Sequence, residues 1–375
     1  MKYYLISGEA SGDLHGSNLM KELKHVDVNA DFRFWGGDQM ASQGGVIVKH
    51  YRDHAYMGFF KVIGNLPAIF RNIRNCTEDI IKYKPDVLIL IDYPGFNLRI
   101  ARSAFKSGIR VFYYISPTVW AWQKSRVEVI KKYVERLFVI LPFEKKFYHE
   151  HGYNVDFEGH PLIDAIDFHF RNLTARDVFF KTNNLPDLPL IALLPGSRKQ
   201  EIQYILPVMM DLTHKYPGYT FVIAGAPSIE KEFYEKVTGI SNIKIIYDQT
   251  YSLVQYSEAA LVTSGTATLE TALLGTPEVV CYKTGRLTIF IARLLVHVQF
   301  ISLVNLILEK EAVKELLQDD LNPECLKTEL DKIIGDSNYR NEMKEEFVRL
   351  KMKLGGPGAS RRIAEKIVSL LNYRN

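Results

Sequence analysis

A chain of 375 residues is too long for one ordinary core and predicts two domains. Apolar and charged fractions of 47% and 24% are those of a soluble globular protein, and a net charge of +4 is too mild to argue for nucleic acid, although it suits an anionic substrate or membrane face. Three scattered cysteines, Cys76, Cys281 and Cys325, form no CxxC pair, which argues against a disulfide framework or a zinc site and fits a reducing compartment.

Lys2–Ile6 runs straight into a glycine-rich turn and is too short and polar for a signal peptide, so a cytoplasmic protein is expected. Strand-like runs then alternate with helical ones. Tyr3–Ser7, Phe32–Trp35, Val87–Ile91, Arg110–Ile115, Leu137–Leu141 and Val155–Glu158 read as strands, with helical patterns at Gly16–His25, Leu66–Tyr83 and Leu98–Ser107. The pattern lapses over Asp167–Leu185 and resumes with Leu190–Leu194, Thr220–Ala224, Ile243–Tyr247, Ala260–Thr263 and Glu278–Tyr282. The alternation predicts an α/β protein with two doubly wound parallel sheets, at 1–170 and 171–354, whose ligands bind beyond the carboxyl ends of the strands, in the cleft between the domains. The stretch 287–308 is apolar, but Arg293, His297 and Gln299 interrupt it, which argues against a spanning helix. Leu354–Gly358 is a glycine-rich break, and 355–375 then carries an amphipathic helix that either packs back on the first domain or caps the second.

The candidate chemistry lies in the loops at strand ends. Ser7–Gly16 spaces its glycines as G-x3-G-x3-G, not as the dinucleotide fingerprint, and no acidic residue ends the next strand, so NAD is disfavoured. Glu9, Ser11 and Asp13 in this loop, with Gly12 between them, favour a functional segment over plain turn chemistry. The stripe Met57–Ile63 with Leu66–Arg74 mixes apolar and basic residues and reads either as a core face with solvated flanks or as a membrane-surface patch. Asp92 closes an unbroken apolar strand, where partial burial would raise its pKa towards that of a general base; Asn97 is the more natural cap for the helix that follows. Trp120 and Trp122 share the next loop and offer a sugar or acyl platform, or simply core packing. His160 is either a ligand donor or a satisfied core histidine.

In the second half, Gly196, Ser197 and Arg198 form a strand–helix turn suited to an anion, without the P-loop signature. Ser264, Gly265 and Thr266 form another, a phosphate-sized approach to a helix N-terminus. Glu270 stands four residues after Thr266, one residue beyond capping-box spacing, and is placed either for ribose hydroxyls or for solvent. Two phosphate-facing turns and one carboxylate together specify a nucleoside diphosphate. No motif requires a metal, and no cofactor is expected.

These motifs occur in a familiar order: Gly8–Asp13, Ile91–Pro94, Ser116–Trp122, Leu141–Glu144, Leu194–Arg198, Ser264–Glu270 and Val313–Gln318. Across nearly the whole chain this resembles the lipid-A-disaccharide synthase family. The resemblance implies a GT-B glycosyltransferase fold with UDP in the second domain and transfer of 2,3-diacylglucosamine from UDP to 2,3-diacylglucosamine 1-phosphate. It implies peripheral work at the inner face of the cytoplasmic membrane. No nucleic-acid partner is expected, and a homodimer is compatible with the sequence. It points to Glu9, Ser11 and Asp92 in the cleft, and to Arg198, Glu270 and Asn305 for the donor. Val304 replaces the proline usual before that asparagine, and Gly95 stands where many relatives carry Asp, so the base narrows to Asp92 with Glu9 in reserve.

The mechanism expected is one in-line displacement that inverts the anomeric carbon, with Asp92 as base and helix N-termini and Arg198 on the leaving UDP. The rivals are an enzyme like UDP-N-acetylglucosamine epimerase, which needs no lipid-sized patch, and a non-enzymatic sugar-nucleotide sensor, against which the carboxylates Glu9 and Asp92 speak.

Overall fold

The runs Val87–Ile91 and Leu190–Leu194 are buried along their whole length, as parallel strands covered on both faces must be. The structure, a computed structural model, describes residues 1–53, 66–117, 125–241, 243–285 and 299–373. It forms two compact units, Met1–Asp164 with Leu354–Asn375, and Ala165–Lys353.

In chain order the first unit contains β1 (Lys2–Ser7), α1 (Ala10–Val26), β2 (Asp31–Gly36), α2 (Asp38–Ser42) and β3 (Val46–His50). It continues through α3 (Leu66–Tyr83), β4 (Val87–Ile91), α4 (Pro94–Lys106), β5 (Val111–Tyr114), α5 (Ser125–Tyr133), β6 (Arg136–Val139), α6 (Pro142–Glu150) and β7 (Asp156–Phe157). The unit boundary falls inside α7 (Leu162–Arg171). The second unit then contains α8 (Arg176–Thr182), β8 (Leu190–Leu194), α9 (Lys199–Met210), β9 (Thr220–Gly225), α10 (Lys231–Thr238), β10 (Ile245–Tyr247) and α11 (Thr250–Gln255). It closes with β11 (Ser257–Thr263), α12 (Thr266–Leu274), β12 (Glu278–Tyr282), α13 (Leu303–Leu308), β13 (Lys314–Leu317), α14 (Pro323–Gly335) and α15 (Ser337–Leu354), before α16 (Ala359–Asn372).

The strand order is β3-β2-β1-β4-β5-β6-β7 in the first unit and β10-β9-β8-β11-β12-β13 in the second. Every pairing described is parallel. In each sheet the winding reverses between two central neighbours, β1 and β4, and β8 and β11, so each unit has one topological switch point, where loops diverge and leave room for a ligand. The register sets Ser7 beside Ile91, which puts Gly8 and Asp92 next to each other as the strands end. The same arrangement sets Leu194 beside Val262.

Alternate residues of the first sheet enter two cores. Tyr4, Ile6, Leu88, Leu90 and Tyr113 lie on one face, and Tyr3, Leu5, Val87, Ile89, Phe112 and Tyr114 on the other. The second face is covered by α1 and by Ile363, Ala364, Ile367 and Leu371 of α16, so the last helix belongs to the first unit. Asp164 accepts from the backbone N–H groups of Gly358 and Ser360 at the start of α16, and the Arg362 guanidinium donates to the Glu158, Gly356 and Pro357 carbonyls.

One sequence expectation is corrected here. Ser7–Gly16 is not a loop throughout: helix α1 begins at Ala10, and Gly12 and Gly16 are buried glycines inside it. A Cβ on Gly12 would lie 3.1 Å from Ser7 Cβ, and one on Gly16 would lie 2.7 Å from Met40 Sδ, so these glycines serve close helix packing. Gly12 is therefore a packing residue and not a ligand-facing one.

Candidate active site

At the first switch point Glu9 occupies the N-cap position of α1, half-buried, and its side chain makes no capping bond. Ser11 is exposed on the first turn of that helix. Asp92 sits beside Glu9 in a half-buried position, with φ at 44°. Burial, with the Glu9 charge second, pushes its carboxyl up to about 6, against a smaller opposing pull from the Tyr93 backbone N–H. Asp92 does not cap α4, whose N-cap is Tyr93, and Asn97 is buried inside that helix with its amide turned back to the Ile91 and Asp92 carbonyls.

Other expected members of this site have different tasks. Asp13 is 2% exposed and accepts from the backbone N–H groups of Gly37, Gln39 and Met40 at 2.7, 3.0 and 3.1 Å. It is the anionic cap of α2, and both of its oxygens are engaged by that helix start. His160 is buried and accepts from the Leu162 N–H through Nδ1, while burial, with His15 nearby, lowers its pKa to about 3. It is a satisfied neutral core histidine at the start of α7. Trp120 and the 57–63 stripe lie outside the described residues.

Sequence reasoning gave no role to two neighbours. Tyr113 is fully buried and donates from its hydroxyl to the Asp92 carbonyl at 2.5 Å. Glu144 is 1% exposed, accepts from the Leu141 N–H at 3.0 Å, and is pushed up to about 8 chiefly by burial. The signal for Glu144 was the acid three residues after Leu141, the spacing that closes a helix start.

In the second unit, Gly196 has φ at 105°, and a Cβ there would lie 2.6 Å from Glu201 Oε2. Ser197 is exposed, and Arg198, the N-cap of α9, makes no capping bond and pairs with Glu201 Oε1 at 3.1 Å. With 72% of its side chain exposed, this pair is weak and easily exchanged for a ligand oxygen. Gly265, with φ at 149°, is the N-cap of α12 and leaves that helix start without a side-chain cap. Thr266 is exposed beside it. Ser264 donates from its hydroxyl to the Ile301 carbonyl at 3.0 Å. Glu270 accepts from the Tyr251 hydroxyl at 2.8 Å, and burial raises its pKa. Two open helix N-termini thus stand at the ends of adjacent strands β8 and β11, an arrangement suited to two phosphate groups.

Asn305 does not join them. It is 0% exposed; its amide N donates to Val313 O and Glu315 Oε1, and its amide O accepts from the Ala312 and Val313 N–H groups, all within 2.8–3.0 Å. Every hydrogen-bonding group of that side chain is spent on the 302–315 loop. Among the described residues no three His, Cys, Asp or Glu side chains converge as a metal site.

The family model described as lipid-A-disaccharide synthetase matches residues 3–367. The lipid-A-disaccharide synthase of Syntrophus aciditrophicus is 39% identical, over 98% of this chain and 97% of its own. That of Geobacter sulfurreducens is 34% identical, over 98% and 97%. Among solved structures, the UDP-GlcNAc 2-epimerase from Neisseria meningitidis bound to UDP-GlcNAc aligns with a TM-score of 0.71 at 16% identity, covering 98% of this chain and 100% of that one. The calicheamicin glycosyltransferase CalG4 aligns at 0.59 and 15%, covering 99% and 98%. These structural likenesses show the two-domain GT-B fold alone.

Proposed function

The chain belongs to the lipid-A-disaccharide synthase family, a glycosyltransferase of lipid A disaccharide synthesis acting on sugar-nucleotide and lipid-linked substrates, and on that premise we propose how its residues divide the work. The donor is UDP-2,3-diacylglucosamine and the acceptor 2,3-diacylglucosamine 1-phosphate. The second unit holds UDP: the starts of α9 and α12 receive the two phosphates, Arg198 exchanges Glu201 for a phosphate oxygen, and Glu270 accepts from ribose hydroxyls. As the glycosidic oxygen leaves, charge grows on the diphosphate, where oriented N–H groups and a guanidinium stabilise it most.

The first unit holds the acceptor. Asp92 takes the proton from its 6-hydroxyl as that oxygen attacks the anomeric carbon, and the configuration inverts. The observation that carries this reading is the placement of Asp92 at the switch point, where burial raises its basicity towards neutral pH and the neighbouring Glu9 carboxylate adds to it. Glu9 supplies that charge and orients the acceptor. Asp92→Asn should keep UDP affinity within twofold while turnover falls below about one thousandth, in keeping with the loss of a general base. Near-normal turnover would sink the assignment.

No described helix is long and apolar enough to cross a membrane. Helix α3 supports a peripheral contact instead: Phe70 is 60% exposed, with Arg71 and Arg74 exposed beside it, a face that suits acyl chains and anionic headgroups. The enzyme then works at the inner face of the cytoplasmic membrane, where its acylated substrates reside.

A further inference from the structure

The turn between β4 and α4 is strained. Asp92 and Tyr93 are consecutive non-glycine residues in the left-handed region, with φ at 44° and 51°. Side chains rarely adopt this conformation, so the turn persists only if its surroundings hold it. Two side chains do so at a single atom. The Asp92 carbonyl accepts from the Tyr113 hydroxyl at 2.5 Å and from Asn97 Nδ2 at 2.7 Å, and the same amide nitrogen reaches the Ile91 carbonyl at 3.2 Å. Both side chains are 0% exposed. From the other side, the Tyr93 ring lies on Gly8, where a Cβ would come within 2.3 Å of it.

Fixing that carbonyl fixes the plane of the Asp92–Tyr93 peptide, and with it the direction in which the Asp92 side chain leaves the backbone. We propose that Tyr113 and Asn97 are positioning residues for the transfer, pinning the Asp92 carbonyl so that its carboxylate faces Glu9 and the acceptor hydroxyl. The inference rests on the reading of Asp92 as the base. A buried tyrosine needs a partner for its hydroxyl in any case. Here the partner is the carbonyl of the one residue whose direction matters, in a conformation that would otherwise relax. An unpinned turn would swing the carboxylate towards water and away from Glu9, and its pKa would fall towards the ordinary aspartate range.

The test is Tyr113→Phe, which keeps every ring carbon, with Asn97→Ala as the second variant because it removes the other donor. Activity is followed with both diacylated sugars across pH, beside Asp92→Asn as the control on the base. The expected result is a kcat lower by about 10- to 100-fold, the scale for a misplaced catalytic group, with the donor KM within twofold. The acidic limb of the pH profile should move to lower pH in both variants. Unchanged kcat, or a lower kcat with the acidic limb unmoved, would overturn the inference and leave Tyr113 and Asn97 as plain core residues. An active Asp92→Asn would instead overturn the base assignment, so the two failures are distinguishable.

Discussion

Glu278 sets the sharpest expectation for stability. It opens β12, between β11 and β13 in the sheet, 0% exposed, and neither carboxyl oxygen has a partner. Burial alone drives its pKa well above the ordinary range. In the unfolded chain the same group ionises near pH 4.3, so above that pH the fold holds a proton that the unfolded chain releases, at a cost of about 1.36 kcal/mol for each pH unit until the folded pKa is reached. The unpaired carboxyl adds a desolvation cost of about 1–3 kcal/mol that does not depend on pH. The sign follows from linkage. The folded state binds the proton more tightly, so stability falls as pH rises above the unfolded pKa towards the folded one. Glu278→Met replaces the carboxyl with an apolar chain of similar volume, and its imperfect fit returns part of the gain. A net stabilisation of about 2–4 kcal/mol at pH 7.5 is expected, and most of it should vanish by pH 4.5, where the unfolded chain holds much of the same proton. Urea unfolding of both proteins at the two pH values, followed by circular dichroism, measures the gap through the midpoints. A variant less stable than the parent at pH 7.5, or a gap that does not widen with pH, would refute the reasoning.

Other expectations concern the site. The acidic limb of kcat/KM should fall near pH 6, the value to which burial and Glu9 push Asp92. Glu9→Gln removes the second of those causes and should move the limb to lower pH; a limb that stays put would mean that Glu9 does not act on Asp92. Asn305→Ala deletes both donors and both acceptances that hold the 302–315 loop, and should cost about 2–4 kcal/mol of stability by urea unfolding, given buried partners left unpaired. A change of donor KM alone, with stability intact, would return Asn305 to the nucleotide site.

Legibility in the sequence followed how local the cause was. Val87–Ile91 and Leu190–Leu194 read plainly because a strand buried on both faces is apolar throughout. The edge strands β3 and β13 did not, since Val46 and Ile47 lie exposed and Lys314 and Glu315 break any apolar run. Asp92 stood out as a carboxylate closing such a run, yet no glycine or asparagine announced the left-handed turn, because its causes, Tyr113 and Asn97, come from the next strand and the next helix. Asp13 and Asn305 look alike in sequence whether they face a ligand or a backbone. Only tertiary partners, Gly37 to Met40 for one and Ala312 to Glu315 for the other, decide between the two.

The place of α16 bears on how the chain is made. Ile363, Ala364, Ile367 and Leu371 seal one face of a sheet whose strands were all synthesised before residue 158. On the ribosome α1 covers only part of that face, and the rest stays open while the entire second unit emerges, so the N-terminal half, usually the first to fold, is the last to be completed here. The long sequence separation between β1 and α16 slows its closure as well. Until then the part of that core that α16 covers is the surface that holdase chaperones would shield, and a nascent chain stalled before residue 359 would carry a folded second half and an aggregation-prone first.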